Sequence, residues 1–405
     1  MPQNPTVPRV LILINRLNLG GPAFHVATLT KYLSPEFEML LVAGTKDDSE
    51  ESSDYIVKNM GLNFVSLPEM HRSLNPFKDY RSYRTLRKMI RDFKPDIVHT
   101  HAAKAGALGR LAALHEKVPV IIHTFHGHVF HSYFSPLKTK IFLKIERYLA
   151  KKSSGIIAIS ERQKKDLTLK YRVSSVAKVH MIPLGFDLRS FRENISEKRE
   201  AFRKKYLLED DEIAIGIIGR LVPVKNHPLF MASAASILKQ TKKKVRFFVI
   251  GDGESKELLF REAESLGLDY TYFKSKPIKA DFTFCSWIKD VDVAISGLDI
   301  VALSSHNEGT PVSLIEAQAG DKPVISTNVG GIENVVVKNG TALLVDSNDY
   351  IDYAEQLLRL IEDDELRNRL GNNGWEFVRE KFHFTRMIKE VSMLYKQLLT
   401  KRKSK

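Results

Sequence analysis

The sequence has a single cysteine, Cys285, among its 405 residues. One cysteine excludes an intrachain disulfide, so we expect a fold that does not depend on an oxidising compartment. Uncharged apolar runs are also short, and none approaches the roughly 18 residues that a membrane-spanning helix needs. The amino-terminal stretch lacks the charged region, apolar core and cleavage site of a secretory signal. These absences predict a cytoplasmic protein without a transmembrane helix.

Acidic residues are scarce in the first half of the chain. The net charge is +14, and residues 1–190 hold 29 Lys and Arg against 16 Asp and Glu, whereas the remainder holds 33 against 32. A basic half favours an anionic partner such as phosphate, nucleic acid or an acidic membrane surface. The alternative is a basic protein whose charge only favours solubility.

Short apolar runs rich in Val and Ile recur along the chain, with longer helical segments between them. Continuous apolar runs are typical of strands buried on both faces, and their alternation with helices predicts an α/β protein with parallel sheets. The predicted strands are 10–14, 37–44, 64–67, 96–101, 120–125, 155–160, 179–186, 213–220, 246–251, 270–273, 299–305, 323–327 and 342–345.

A charged segment without an apolar run, residues 187–212, interrupts this alternation once. It predicts a boundary between two similar α/β domains, 1–190 and 191–382, followed by a helix and basic tail at 383–405. Parallel sheets bind ligands at the carboxyl ends of their strands. We therefore expect function in the strand-end loops and in a cleft between the domains.

Two of these loops have residues suited to phosphate. Gly20 and Gly21 follow the first strand where a helix is expected to begin, and bare amides at a helix N-terminus bind phosphate, although a plain turn fits the sequence equally well. Arg220 and Lys225 follow the first strand of the second half. Two cations at a strand end can neutralise a diphosphate, and the alternative is a pair of solvated loop charges.

Two glutamates lie in the stretch "SSHNEGTPVSLIEAQAG", residues 304–320. Pro311 favours a helix start and Gly320 a helix stop, which places Glu308 in the preceding loop and Glu316 in the second turn. The helix N-terminus favours an anion or hydroxyl groups at the strand end, and a carboxylate there accepts hydrogen bonds. Alternatively, Glu308 only favours the helix dipole and Glu316 is an exposed helix residue.

Four histidines, His123, His126, His128 and His131, cluster after the fifth predicted strand. No cysteine and no H-E-x-x-H spacing accompanies them, so we predict no metal site. His126 is predicted to hydrogen-bond a ligand, and the other three are interpreted as structural. The pair of aspartates in "DVD", residues 290–292, is too common a pattern to indicate a metal.

Together these residues resemble family 4 of the retaining glycosyltransferases, which have the GT-B fold. The similarity extends from about residue 9 to 399 and is strongest in "HTHAAKAGALGRLAA", "HTFHGH", "GRLVPVKN" and "NEGTPVSLIEAQAGDKPVISTNVGGIENVV". It implies two Rossmann-like domains facing across a cleft, with a C-terminal helix that returns to the N-terminal, acceptor-side domain. The segment 274–297 departs from the short glycine-bearing loop of the family, so the nucleotide base stays open.

The resemblance also implies roles for single residues. Glu316 resembles the residue that binds the nucleotide ribose, and Glu308 resembles the one that contacts the donor sugar near its anomeric carbon. His126 resembles a histidine that reaches the same sugar. The residues implied to bind the nucleotide-sugar are Gly20, Gly21, Arg220, Lys225, Glu308, Gly309, Thr310, Pro311, Val312 and Glu316, and those implied in catalysis are Glu308, Lys225, Arg220 and His126.

By the same resemblance, the chain moves a hexose or N-acetylhexosamine with retention of configuration. The implied donor is a nucleoside-diphosphate sugar, most commonly UDP-linked, and the implied acceptor is a hydroxyl of a glycan or a polyprenyl-diphosphate-linked lipid. The setting is bacterial surface polysaccharide, either capsule or lipopolysaccharide. No cofactor or metal is expected, because two cations can supply the charge.

Residues 136–152 form a basic amphipathic pattern, with Ile141, Phe142, Ile145, Tyr148 and Leu149 on one face. This pattern predicts either a core helix with a solvated back or a helix on an anionic membrane that meets a lipid-linked acceptor. Three other functions are considered: a sugar-nucleotide epimerase of the same fold, a nucleic-acid-binding protein and an inactive binding subunit. No nucleic-acid-binding motif is present, and such a protein would leave the two glutamates unexplained.

Overall fold

The computed structural model describes residues 7–17, 21–45, 54–71, 73, 75–126, 136–273, 278–346 and 349–403. The chain forms two compact units. The first unit consists of Met1–Phe186 together with Phe382–Lys405, and the second consists of Asp187–Lys381.

The first unit is built on a seven-stranded sheet whose described strand pairs are all parallel. Its strands are β1 (Arg9–Ile14), β2 (Glu38–Gly44), β3 (Val65–Leu67), β4 (Ile97–His101), β5 (Val120–Phe125), β6 (Gly155–Ala158) and β7 (Val179–Met181). Its helices before the chain leaves the unit are α1 (Gly21–Leu33), α2 (Asp54–Asn59), α3 (Pro76–Phe93), α4 (Ala103–His115), α5 (Pro136–Lys152) and α6 (Glu161–Lys165). The strand order is β3-β2-β1-β4-β5-β6-β7.

The second unit contains another seven-stranded parallel sheet, in the order β10-β11-β9-β8-β12-β13-β14. The strands are β8 (Ile213–Ile218), β9 (Val245–Ile250), β10 (Tyr270–Phe273), β11 (Phe282–Cys285), β12 (Ile300–Leu303), β13 (Val324–Thr327) and β14 (Ala342–Val345). The helices are α7 (Ile195–Lys205), α8 (His227–Leu238), α9 (Lys256–Ser265), α10 (Val291–Gly297), α11 (Val312–Ala319), α12 (Tyr350–Glu362), α13 (Asp364–Asn372) and α14 (Gly374–Phe382), and α15 (Phe384–Lys403) follows.

Helix α15 returns to the first unit, as the family resemblance implied. Its apolar side joins the core formed by β1, β5 and α1, and Met387, Val391 and Tyr395 are almost completely buried there. The hydroxyl of Tyr395 lies 2.6 Å from His99 Nδ1 on β4. The helix is therefore part of the first unit's core.

The strands follow the predicted continuous apolar runs, because both faces of each sheet are covered. All residues of β4, β5, β8 and β9 are buried. Parallel sheets need helices on both faces, and buried strands then have no polar face to alternate. The prediction of an α/β protein with two parallel sheets is confirmed.

Two details of the strand prediction are wrong. Strand β11 was not predicted, because "FTFC" lies inside the segment 274–297, which was interpreted as a departure from the family's short loop. The predicted strand 179–186 ends at Met181, since Pro183 has no N–H for a ladder hydrogen bond. Phe186 instead donates its N–H to Phe382 O at 2.8 Å and accepts from Phe384 N at 3.1 Å.

Across the described residues, we find no helix with the length and apolar character that spanning a bilayer requires.

Candidate functional site

The loop after β8 carries the two predicted cations of the second unit. Arg220 is exposed one residue beyond Gly219, and Lys225 ends a short 3-10 turn before α8. Lys225 Nζ donates to Glu308 Oε1 at 2.6 Å, and both side chains are mostly buried. The structure therefore brings a predicted cation and a predicted carboxylate from two strand-end loops into direct contact.

Two buried serines hold these loops together. Ser304 Oγ donates to Asn226 O at 2.8 Å and to Lys225 O at 3.1 Å, which joins the end of β12 to the loop after β8. Ser305 Oγ donates to Glu308 Oε1 at 2.6 Å. Ser304 and Ser305 have no exposed surface, so these hydrogen bonds are shielded from water.

Two adjacent glycines, Gly330 and Gly331, pack against the backbone of the Glu308 loop. Gly331 N donates to Glu308 O at 2.8 Å. Gly330 has a φ of +60°, and a Cβ built on it would lie 2.0 Å from Glu308 O, while one on Gly331 would lie 1.9 Å from Gly309 O. Only residues without a side chain allow this approach. Sequence patterns do not mark these two glycines as site residues, although they lie in the stretch "STNVGGIENVV" that carries the family resemblance.

The N-terminus of α11 is open at the same place. Pro311 precedes the first helical residue, Val312, and provides no side-chain cap. A Cβ on Gly309 would meet no atom within 4 Å, so space remains beside the loop. The first-turn amides and the helix dipole favour an anion or hydroxyl oxygens at this end.

Glu316 lies one turn further along α11. The residue is half-buried. This burial raises the pKa of the Glu316 carboxyl to about 8, with a further contribution from the negative charge of Asp292. Asp292 itself pairs with Lys198 at 2.7 Å. Glu316 is therefore not the exposed helix residue of the alternative interpretation, and its carboxyl group is mostly protonated at neutral pH.

In the first unit, His126 belongs to a histidine cluster formed with His25 of α1 and His101 of β4. His101 Nδ1 and His126 Nε2 are 2.9 Å apart, so one donates and the other accepts. Both nitrogens of His25, Nε2 of His101 and Nδ1 of His126 are buried without a partner among the described atoms. Burial lowers the pKa of His126 to about 4 and those of His25 and His101 well below the usual range, so all three imidazoles are neutral.

This cluster is the one place among the described residues where three side chains could hold a metal ion. Its ligand nitrogens all lie within 4.8 Å of one another. Against a metal, one pair of nitrogens shares a hydrogen bond, and the positive charge of Arg386 helps to lower the pKa of His25. Of these three histidines only His126 is a candidate from the sequence, because His25 and His101 lie inside apolar helix and strand patterns.

Two sequence profiles of known families match the chain. The family described as "Glycosyltransferase Family 4" matches residues 19–190, and "Glycosyl transferases group 1" matches residues 198–377. The chain belongs to glycosyltransferase family 4. It is a glycosyltransferase with the GT-B fold, as the sequence resemblance implied.

Known relatives agree with this assignment. The chain is 29% identical over 351 residues to the UDP-Gal:alpha-D-GlcNAc-diphosphoundecaprenol alpha-1,3-galactosyltransferase of Escherichia coli, covering 86% of this chain and 87% of that protein. It is 26% identical to the capsular polysaccharide biosynthesis glycosyltransferase CapM of Staphylococcus aureus, covering 94% and 98%. The crystal structure of Anabaena Alr3699/HepE in complex with UDP is similar in fold, with a TM-score of 0.78, 16% identity and coverage of 96% and 100%.

The other predicted site residues of this glycosyltransferase have the following places. Gly21 is the first residue of α1, with Pro22 in its first turn, whereas Gly20 lies outside the described residues. His123 is buried and lies 2.9 Å from Thr100 Oγ1, which agrees with a structural role. His128 and His131 lie outside the described residues.

Proposed function

We propose that this glycosyltransferase moves a hexose or N-acetylhexosamine from a UDP-sugar to a hydroxyl of a glycan or polyprenyl-diphosphate-linked acceptor. The configuration of the sugar is retained, and the product enters bacterial surface polysaccharide. One observation carries the proposal: Lys225 and Glu308 meet beside the open N-terminus of α11, one turn from Glu316. This arrangement offers a cation, two carboxyl groups and helix amides to one ligand.

The donor fits these groups by chemistry. Arg220, Lys225 and the amides around Gly309–Val312 suit the diphosphate, because cations and helix N-termini both favour anionic oxygens. Glu308 accepts hydrogen bonds from hydroxyl groups of the donor sugar. Glu316 accepts hydrogen bonds from the hydroxyl groups of the ribose. In the first unit, His126 and the N-terminus of α1 at Gly21 are proposed to serve the sugar and the phosphates.

The Lys225–Glu308 contact has a consequence for donor binding. The ammonium group of Lys225 has three N–H donors, so it can keep Glu308 and still donate to a phosphate oxygen. Glu308 also keeps its bond from Ser305. The pair therefore fixes the lysine in position before the donor arrives, which lowers the reorganisation required in the reaction.

In the proposed reaction the anomeric C–O bond breaks and its electron pair stays on the departing diphosphate. Arg220 and Lys225 stabilise that charge. The acceptor oxygen bonds the anomeric carbon from the same face, and its proton passes to the departing phosphate. No metal ion or cofactor is required, because the two cations replace the divalent ion that would otherwise neutralise a diphosphate.

The choice of UDP and of a lipid-linked acceptor is supported by two of the relatives. One relative uses UDP-galactose and a diphosphoundecaprenol-linked acceptor, and another acts in capsular polysaccharide biosynthesis. The named relatives are transferases, which favours transfer over epimerisation. We place the reaction at the cytoplasmic face of the plasma membrane, where a polyprenyl-diphosphate acceptor would be found.

A thermal-unfolding panel with EDTA tests the donor site. UDP, GDP, ADP, CDP and NAD are compared on the native protein and on Glu316→Ala. UDP at a hundred times its dissociation constant should add about 2.7 kcal/mol to the free energy of unfolding of the native protein and much less to the variant. If another nucleoside diphosphate stabilises the protein instead of UDP, that nucleotide is assigned to the donor. Stabilisation by NAD alone, or by nothing, would reject the assignment.

A further inference from the structure

The face of α5 that the sequence pattern assigned either to a core or to an anionic membrane is largely at the surface. Ile141, Ile145 and Tyr148 are 51%, 41% and 55% exposed. They repeat at i, i+4 and i+7 and therefore form one stripe along the helix. Leu149 and Ala150 face the interior instead and are almost completely buried. The helix thus has two apolar sides, and only one of them packs against protein within the described residues.

Basic residues border this stripe. Lys140, Lys144, Arg147, Lys151 and Lys152 are all exposed. Glu146 is the only acidic residue of α5, and it is turned inward. Nη2 of the buried Arg110 on α4 donates to both of its carboxylate oxygens, at 2.7 and 2.8 Å. The exposed face therefore carries positive charge only, and the buried ion pair fixes its orientation on the unit.

Helix α3 also carries exposed aromatic and basic residues, and α4 packs against both α3 and α5. Phe77 and Tyr80 are 85% and 61% exposed near its N-terminus, and Lys78, Arg81 and Arg84 are exposed beside them. Asn75 caps this helix by accepting from the amides of Phe77 and Lys78. The exposed aromatic residues thus lie on an ordered helical turn.

We propose that the exposed face of α5 is the surface by which this glycosyltransferase binds a bilayer that carries anionic lipids. Single exposed apolar residues are common on soluble proteins, but a stripe of three bordered only by cations is the pattern of a helix that lies in a membrane interface. Isoleucines suit the acyl boundary, tyrosine suits the headgroup level, and lysines reach anionic phosphates. The proposal rests on the proposed function, because membrane binding would give the enzyme access to a lipid-linked acceptor.

Vesicle flotation without donor or acceptor tests the surface. The protein should float at low salt with vesicles of phosphatidylcholine and phosphatidylglycerol, but not with phosphatidylcholine alone. Added salt should weaken binding, since it screens the lysines. The double variant Ile141→Ser/Ile145→Ser should bind at least about tenfold more weakly, because the apolar contribution is lost. Its control is Ile351→Ser/Leu258→Ser, which removes two apolar side chains of the second unit that are 51% and 55% exposed.

A charge variant gives an independent result. Lys140→Gln/Lys144→Gln/Lys151→Gln should lower the partition coefficient on the order of 100-fold. The control Lys204→Gln/Lys239→Gln/Lys242→Gln removes the same charge from exposed positions of the second unit and should leave the partition coefficient largely unchanged. Thermal unfolding confirms that each variant is folded.

Three outcomes overturn the proposal. The first is no flotation of the native protein at low salt, and the second is equal binding by the α5 variants and their controls. The third is a change in the sedimentation mass of the lipid-free protein when the apolar stripe is removed, because this would make the face a contact between copies of the chain. Transfer from UDP-sugar to a detergent-dispersed acceptor is measured separately. Loss of vesicle binding with full transfer supports the surface, whereas absence of transfer with normal vesicle binding rejects only the proposed function.

Discussion

At the residue scale, Lys225 is the cation for which the structure supplies the clearest expectation. Its ammonium group is held by Glu308 at 2.6 Å in a mostly buried setting. Lys225→Ala should lower kcat by the equivalent of roughly 2–4 kcal/mol, because charge on the departing diphosphate loses a preorganised donor. Steady-state kinetics with a UDP-sugar measures this loss.

Lys338→Ala is the matched control for that variant. Lys338 pairs with Asp346 at 3.2 Å, but both side chains are about half exposed or more. Exposed ion pairs contribute little, so its kcat should stay close to that of the native enzyme. An unchanged rate in Lys225→Ala would remove this residue from the proposed mechanism.

Glu316 predicts that donor binding depends on pH. Its pKa of about 8 leaves it protonated at pH 7, whereas ribose hydroxyl groups require a carboxylate acceptor. UDP affinity should therefore rise about fivefold from pH 7 to pH 8 and roughly tenfold in all before it levels off above about pH 9, with release of nearly one proton per UDP at pH 7. Calorimetry in buffers of different ionisation enthalpy measures the proton. Glu316→Gln should bind UDP weakly and release no proton. A UDP affinity of the native protein that does not change with pH would contradict the assignment.

The raised pKa of Glu316 makes folding stability depend on pH in the opposite direction to UDP binding. A raised carboxyl pKa means that the folded chain binds the proton more tightly than the unfolded chain does. This contribution to stability is fully present below pH 4.5 and is lost as the pH rises through about 8. Binding of UDP and stability of the free protein therefore respond to pH in opposite directions through one carboxyl group.

At the element scale, Gly330 shows how a neighbouring loop supports the Glu308 loop. Gly330→Ala places a methyl group 2.0 Å from Glu308 O at a φ of +60°, so both strain and a collision result. We expect it to lower the free energy of unfolding by more than the roughly 1–2 kcal/mol of a left-handed backbone alone and to abolish stabilisation by UDP. Urea unfolding with and without UDP provides both measurements.

Gly267→Ala separates the two effects. Gly267 has a φ of +67°, but a Cβ there would meet no atom within 4 Å. This variant should show the backbone cost and keep UDP stabilisation. If the two alanine variants behave alike, the close approach to Glu308 has no part in holding the site.

The elements also show where sequence reasoning succeeds. The strand-end loops that were predicted to carry function do bring Lys225 and Glu308 into contact, because parallel sheets bring the carboxyl ends of strands to one edge. Gly330 escaped notice, since its neighbour in space is 22 positions away in sequence. The sequence pattern put Ile141, Ile145, Tyr148 and Leu149 on one face of α5. It could not show that Leu149 alone of these meets the core while the other three are exposed.

At the scale of the whole molecule, alternation of apolar runs and helices was enough to predict two parallel sheets. It did not supply β11, which lies inside the segment 274–297 that was interpreted as a loop. The return of α15 to the first unit was implied by family resemblance and not by periodicity, because an amphipathic helix does not specify its partner in the chain.

The position of α15 has a consequence for synthesis on the ribosome. Domains generally fold as they emerge, from the amino terminus onward. The second unit is one continuous segment, but the first unit needs Met387, Val391 and Tyr395 in its core, and these follow the whole second unit. The part of the protein made first is thus completed last. Until then its unfinished core exposes apolar surface, and a chain cut short by a premature stop codon would retain that surface and become a target for proteases.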